Sequence, residues 1–173
     1  QILEQNGFEV ELRKQALNEL DLAKSLDGVV ALGIRSKTYV TPKVLEAARD
    51  LRVIGAFCIG TNQIALGDAH DRGIPAFNAP FSNTRSVAEL VMSEVVALSR
   101  RLTDRSAEMH QGVWTKSAEG CREVRGKTLG IIGLGNIGRK LAEKALGLGL
   151  NVIATSRSGK SSLAGVKIVS LDE

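Results

Sequence analysis

Leu129-Gly130-Ile131-Ile132-Gly133-Leu134-Gly135-Asn136-Ile137-Gly138 is an apolar run that empties into glycines spaced G-x-G-x-x-G. A strand that ends in this spacing has a physical use for each glycine. Gly133 permits a tight turn off the strand, Gly135 lets the backbone approach a pyrophosphate, and Gly138 lets the next helix pack on the strand. Helical spacing of Ile137, Leu141, Ala145 and Leu148, closed by Gly147 and Gly149, supplies that helix. Its amino end offers free N–H groups and a positive dipole to phosphate oxygens. The triplet alone is a weak signal. The β-rich run Thr128–Ile132 before it and the amphipathic stretch after it make it a dinucleotide fingerprint. Gly133, Gly135, Asn136, Ile137 and Gly138 are therefore expected to bind a cofactor.

Upstream of the fingerprint, strand and helix signals alternate. Phe8–Leu12 reads as a short strand, Asn18 as the cap of a helix through Ser25, and Val29–Ile34 as a buried apolar strand. Thr41-Pro42 is an N-cap with proline at the first helical position, opening a helix to about Arg49. Val53–Ala56 is the next strand, Asn62 a cap for a helix ending near Arg72-Gly73, and Pro75–Phe77 a third strand. A long helix then runs from Thr84 to Leu102, with Val87, Leu90, Val91, Val95 and Leu98 on one face. Asp104–Gln111 is a second helix, and beyond the fingerprint Asn151–Thr155 and Val166–Val169 are strands. Gln1–Gln5 reads as the tail of a helix. This order predicts an α/β fold of parallel, doubly wound sheets. Residues 1–81 are expected to form part of a flavodoxin-like substrate domain without its first strand. Residues 82–173 are expected to form a helical arm and the first half of a Rossmann dinucleotide-binding domain.

The 173 residues are 43% hydrophobic and 24% charged, a balance that suits globular folding, and only 3% aromatic, so the core must be aliphatic. The net charge of +4 comes from Lys and Arg interleaved with Asp and Glu, which reads as a mixed solvated surface and not as a nucleic-acid track. No apolar run approaches the about 20 residues of a membrane-spanning helix, and the opening residues do not read as a signal peptide. Cys58 and Cys121 have no C-x-x-C partner and read as reduced thiols of a cytoplasmic protein. No metal site is expected.

Several blocks are more specific than the glycines. They are Gly33-Ile34-Arg35-Ser36-Lys37-Thr38, the stretch Ile54–Gln63, and Arg72–Leu90, within which stands Phe81-Ser82-Asn83-Thr84. Gly112-Val113-Trp114 and Gly126–Gly133 add to them. Over about residues 8–155 the chain resembles the D-isomer-specific 2-hydroxyacid dehydrogenases. The resemblance implies a substrate domain split by an inserted nucleotide domain, with the active site in the cleft between them. It implies oxidation of a small phosphorylated 2-hydroxy acid with hydride passed to NAD, and a homo-oligomer. No residue here matches the family's catalytic arginine, glutamate and histidine, so no catalytic residue is expected in these 173 residues, which alone should not turn over. His70 and His110 fall in no motif. An unphosphorylated substrate such as glyoxylate or hydroxypyruvate would need fewer cations. A nucleotide-sensing corepressor on the same fold would need no substrate-like Arg35 and Asn83.

Arg35 stands at the carboxyl end of an expected strand, where open α/β sheets hold ligands, and its guanidinium can grip a carboxylate or phosphate through two bonds. The competing reading is a surface salt bridge. The resemblance makes Arg35, Ser36, Lys37, Asn83 and Lys116 substrate-binding residues. Asn83 also reads as a helix cap, and Arg85 as a partner of Glu89 at i,i+4. Trp114, on a loop, is either a core plug or an interface residue, and the resemblance favours the interface.

An NAD site of this type places Asp or Glu after the second strand, about 20 residues beyond the glycines. Here Ser156-Arg157 occupies that place, followed by Lys160. Ser156 and Arg157 are expected to contact the cofactor ribose, with a relaxed or NADP-leaning preference.

Overall fold

The computed structural model describes residues 2–156 and 162–172. The chain divides into two compact units, Gln1–Ser82 and Asn83–Glu173.

In the first unit α1 (Ile2–Gln5) precedes α2 (Glu19–Lys24), β1 (Ala31–Ile34), α3 (Pro42–Ala47), β2 (Val53–Ala56), α4 (Leu66–Asp71) and β3 (Ala76–Asn78). The sheet order is β1-β2-β3, all parallel, with Gly33, Gly55 and Phe77 in one cross-strand row. Helices of six residues do not persist alone in water. α2 and α3 persist because a side chain caps each amino end and one face is buried. The Asn18 side chain accepts from Asp21 N at 2.9 Å, and Thr41 Oγ1 accepts from Val44 N at 3.4 Å with Pro42 behind it. Leu22, Leu26, Val44 and Leu45 pack with Ile34, Ile54 and Ala56 of the sheet, each essentially removed from water. A fully buried side chain of this size contributes about 1.5–3 kcal/mol. The Thr41 hydroxyl also donates to the Glu19 carboxylate, tying α3 to α2. Thr41→Ala should therefore lower stability by about 1 kcal/mol in urea unfolding, with little change in m-value.

Two expectations for this unit fail. Phe8–Leu12 forms no strand, because a strand needs a neighbour and the described residues offer it none. Asn62 caps nothing. Val40 N donates to Gln63 O and Ala65 N to Val40 O, both at 2.9 Å, so the backbone before Leu66 is committed to Val40 and the helix begins later.

The second unit runs α5 (Thr84–Ser99), α6 (Leu102–His110), β4 (Thr128–Ile132), α7 (Asn136–Gly147), β5 (Asn151–Thr155) and β6 (Val166–Ile168), with parallel sheet order β4-β5-β6. The helix expected to reach Leu102 stops at Ser99. Arg101 takes φ 51°, turning the chain, and its Nε holds Asp104 Oδ2 at 3.0 Å in the first turn of α6. The buried stripe of α5 is Ala88 and Met92, flanked by Val91, Val95 and Val96. Leu90 and Leu98, assigned to that stripe from the sequence, are 59% and 71% exposed. α5 is apolar on more than one side, and its contact with α7 selects which side is covered. On α7 the buried set is Gly138, Leu141, Ala142 and Ala145, while Ile137 and Leu148 lie outside it. Small residues at 142 and 145 let the helix lie close to its neighbours. No helix among the described residues is long and apolar enough to cross a membrane.

Candidate functional site

The turn from β4 into α7 is built almost entirely of backbone. Gly133 takes φ 102°, open only to glycine. Its N–H and that of Leu134 both donate to the Thr155 carbonyl, at 3.1 and 3.0 Å. The Leu134 side chain, 3% exposed, closes the turn from beneath. The first intrahelical bond of α7 is Arg139 N to Gly135 O at 2.9 Å, so Asn136, Ile137 and Gly138 stand one turn short of an internal acceptor. No side chain caps this end, and its first turn carries no acid. A Cβ on Gly138 would stand 2.2 Å from the Gly133 carbonyl oxygen, which is how closely the helix crosses the strand end. A Cβ on Gly135 would meet nothing within 4 Å, and its φ is −85°. Among the described residues, neither packing nor backbone conformation requires glycine at 135. An open, acid-free turn of amides fits the diphosphate of a dinucleotide.

Ser156 follows β5 directly, at the level of this turn. Arg157 and Lys160 lie outside the described residues. On the far side of that segment Arg139 Nη1 donates to Ser162 O at 2.9 Å.

In the first unit the loops that leave the three strands are stitched together at their carboxyl ends. Phe57 N donates to Ile34 O at 2.8 Å, Ala79 N to Cys58 O at 3.0 Å, and Asn78 Nδ2 to Ile59 O at 2.7 Å. Behind them Gln63, 4% exposed, donates through Nε2 to Cys58 Sγ at 3.1 Å and Gly60 O at 3.2 Å. Arg35, Ser36 and Lys37 follow β1 on this edge in an exposed turn closed by Thr38 N to Arg35 O at 3.2 Å. Neither Arg35 nor Lys37 forms an ion pair among the described residues, so the salt-bridge reading of Arg35 finds no partner.

Residues 1–163 match the catalytic domain of the D-isomer specific 2-hydroxyacid dehydrogenases. The chain belongs to that family. It is 54% identical over 152 residues to D-3-phosphoglycerate dehydrogenase 1 of Saccharomyces cerevisiae, covering 88% of this chain and 32% of that protein. To the D-3-phosphoglycerate dehydrogenase of Haemophilus influenzae it is 49% identical over 165 residues, covering 95% of this chain and 40% of that one. The chain thus spans about a third of the length of the curated relatives it matches. Among solved structures, the NAD-dependent formate dehydrogenase of Staphylococcus aureus in complex with NAD superposes with a TM-score of 0.82 at 26% identity, over 99% of this chain and 52% of that one.

Other residues of this 2-hydroxyacid dehydrogenase chain take definite places. Asn83 precedes α5 but makes no side-chain capping bond; only its carbonyl is used, by Ser86 Oγ and Val87 N, each at 3.0 Å. The simple-cap reading of Asn83 is therefore set aside. Arg85 Nε does hold Glu89 Oε1, at 2.7 Å, and Lys144 reaches the same oxygen at 3.3 Å. The Arg85 hydrogen bond first, then that of Lys144, holds the Glu89 carboxyl below its usual range. Lys116 and Trp114 share an exposed loop, with Trp114 74% exposed, so it is no core plug. Val113 N on Glu108 O at 2.9 Å ties that loop to α6, and Arg105 grips the Glu108 carboxylate at 2.8 Å. His70 and His110 are exposed at helix ends. Sequence reading did not single out the Thr155 carbonyl, which fixes the glycine turn, or Asn78, which fixes the 57–60 loop. A backbone acceptor leaves no mark in sequence, and Asn78 acts on a backbone carbonyl 19 residues away.

Proposed function

We propose that the chain supplies the substrate-anion and dinucleotide-binding parts of an NAD(P)-dependent D-3-phosphoglycerate dehydrogenase, which oxidises 3-phosphoglycerate to 3-phosphohydroxypyruvate at the entry to serine synthesis. The observation that supports this is Gly135, whose missing side chain meets nothing among the described residues. In this reading Gln1–Ser82 is the substrate domain and Asn83–Glu173 the helical arm with half of the nucleotide domain. The N–H groups of Asn136, Ile137 and Gly138 hold the diphosphate, and Ser156 meets the adenosine ribose. When bound, the nicotinamide supplies the hydride acceptor. Arg35 binds a substrate anion through two bonds, the turn amides at Ser36 and Lys37 orient it, and Lys37, Asn83 and Lys116 add polar and cationic contacts. None of these groups exchanges a proton in the reaction. They position substrate.

Homo-oligomerisation belongs to the same reading. Trp114 and Leu98 are exposed on the second unit, and a groove of about 770 Å³ lined by Met92, Val96, Leu102 and Leu148 opens between α5 and α7. An unpaired apolar surface of this kind suits a second copy. A cytoplasmic location belongs to the same reading, supported by the small-molecule substrate and by Cys58 and Cys121, which form no disulfide among the described residues.

The test uses the protein expressed from its own gene, followed through nicotinamide absorbance with D-3-phosphoglycerate and, in reverse, with phosphohydroxypyruvate and hydroxypyruvate. The phosphorylated keto acid should be preferred in kcat/KM by at least about tenfold, the contribution of a gripped phosphate. Equal rates with hydroxypyruvate would reassign the substrate, and no nicotinamide chemistry with any hydroxy acid would end the proposal.

A further inference from the structure

We propose that Ser156 removes this site's discrimination against a 2′-phosphate, so that it takes NADP as readily as NAD; this rests on the dinucleotide reading above. Position 156 is fixed by backbone. The Thr155 carbonyl accepts from Gly133 N at 3.1 Å and Leu134 N at 3.0 Å, so the peptide group that joins Thr155 to Ser156 is fastened to the glycine turn. Ser156 is thus the first residue past β5, on the same edge as the open amino end of α7. In an NAD-type site this is the place of the carboxylate that accepts from the ribose 2′-hydroxyl. That carboxylate selects in two ways, since it binds the diol and repels a phosphate dianion in its place. Serine keeps a short neutral hydroxyl that can donate or accept, and it removes the repulsion.

No acid lies between the glycine turn and the end of β6 other than Glu143. Lys140 Nζ occupies that carboxylate at 2.7 Å. The first turn of α7 has no acid, and the cation Arg139 reaches from that turn to the Ser162 carbonyl at 2.9 Å. A neutral side chain at 156 and an acid-free first turn of α7 leave an additional phosphate without the repulsion that the usual arrangement supplies.

The test is calorimetric titration of the protein, expressed from its own gene, with NAD+ and with NADP+, so that binding is read without turnover. The two dissociation constants should fall within about tenfold of each other, or favour NADP. Ser156→Asp should weaken NADP+ by at least about tenfold relative to NAD+, while a retained NAD+ constant shows that the site is still folded. Ser156→Ala, which restores no charge, should keep the native ratio. Native binding of NAD+ more than about tenfold tighter, or an unchanged ratio in Ser156→Asp, overturns the inference and leaves the dinucleotide reading standing. Binding of neither nucleotide overturns that reading and this inference with it.

Discussion

Gly138→Ala should melt the second unit about 5–10 °C earlier and weaken dinucleotide binding by at least about tenfold. Alanine is the better helix former by about 1 kcal/mol, so on propensity alone the substitution would stabilise α7. Sterics decide the other way. The new Cβ would sit 2.2 Å from the Gly133 carbonyl oxygen and 3.3 Å from Ile131 Cγ2. That oxygen cannot rotate aside, because the turn carrying it is pinned at Gly133 N and Leu134 N. Either α7 retreats from β4 or the turn distorts, and both displace the amides of Asn136 and Ile137. Overpacking of this kind costs about 1–3 kcal/mol or more, which exceeds the gain in propensity. Gly147→Ala, at the other end of α7, meets nothing within 4 Å and should be neutral or slightly stabilising. Differential scanning calorimetry and nucleotide titration of both variants provide the comparison. Native-like melting and binding in Gly138→Ala would refute the close crossing.

On the proposed function, Arg35→Ala in the protein expressed from its own gene should lower kcat/KM for 3-phosphoglycerate by about 100-fold while leaving the melting temperature unchanged. The contrast between the two readouts is the point. Arg35 is exposed in the turn after β1 and forms no ion pair among the described residues, so the fold does not depend on it. A guanidinium held on a strand edge without an internal partner can give its whole bonding capacity to an anion. Arg35→Lys should recover only part of the loss, since an ammonium keeps the charge but not the two-point grip. Steady-state kinetics with the three proteins settles the matter. A change below about threefold in Arg35→Ala would remove Arg35 from the substrate site.

Local chemistry made much of this fold readable. Val53–Ala56, Thr128–Ile132 and Asn151–Thr155 are strands over the residues expected, because each is a short, branched apolar run between turn residues. Asn18 and Thr41 cap the helices assigned to them, since a capping bond spans only three residues. Three of the failures are nonlocal. Asn62 has a capping side chain but sits where Val40, over 20 residues earlier, has claimed the backbone. Phe8–Leu12 has a strand's composition without a strand's neighbour. Leu90 and Leu98 share the periodicity of Val91 and Val95, and only the contact with α7 tells the two faces apart. The glycine fingerprint could be read because its spacing joins a strand to a helix, and Gly133 and Gly138 answer local steric demands there. The acceptor that secures it could not, because any residue at 155 supplies the same carbonyl.

That last point bears on how such a protein can diversify. One main-chain oxygen clamps the glycine turn to the strand that position 156 follows. The clamp is indifferent to side-chain identity, so position 156 is free to drift while the neighbouring loop keeps its shape. On the proposed reading, nucleotide preference can therefore change by substitution at this one position, with no compensating repair to the turn alongside it.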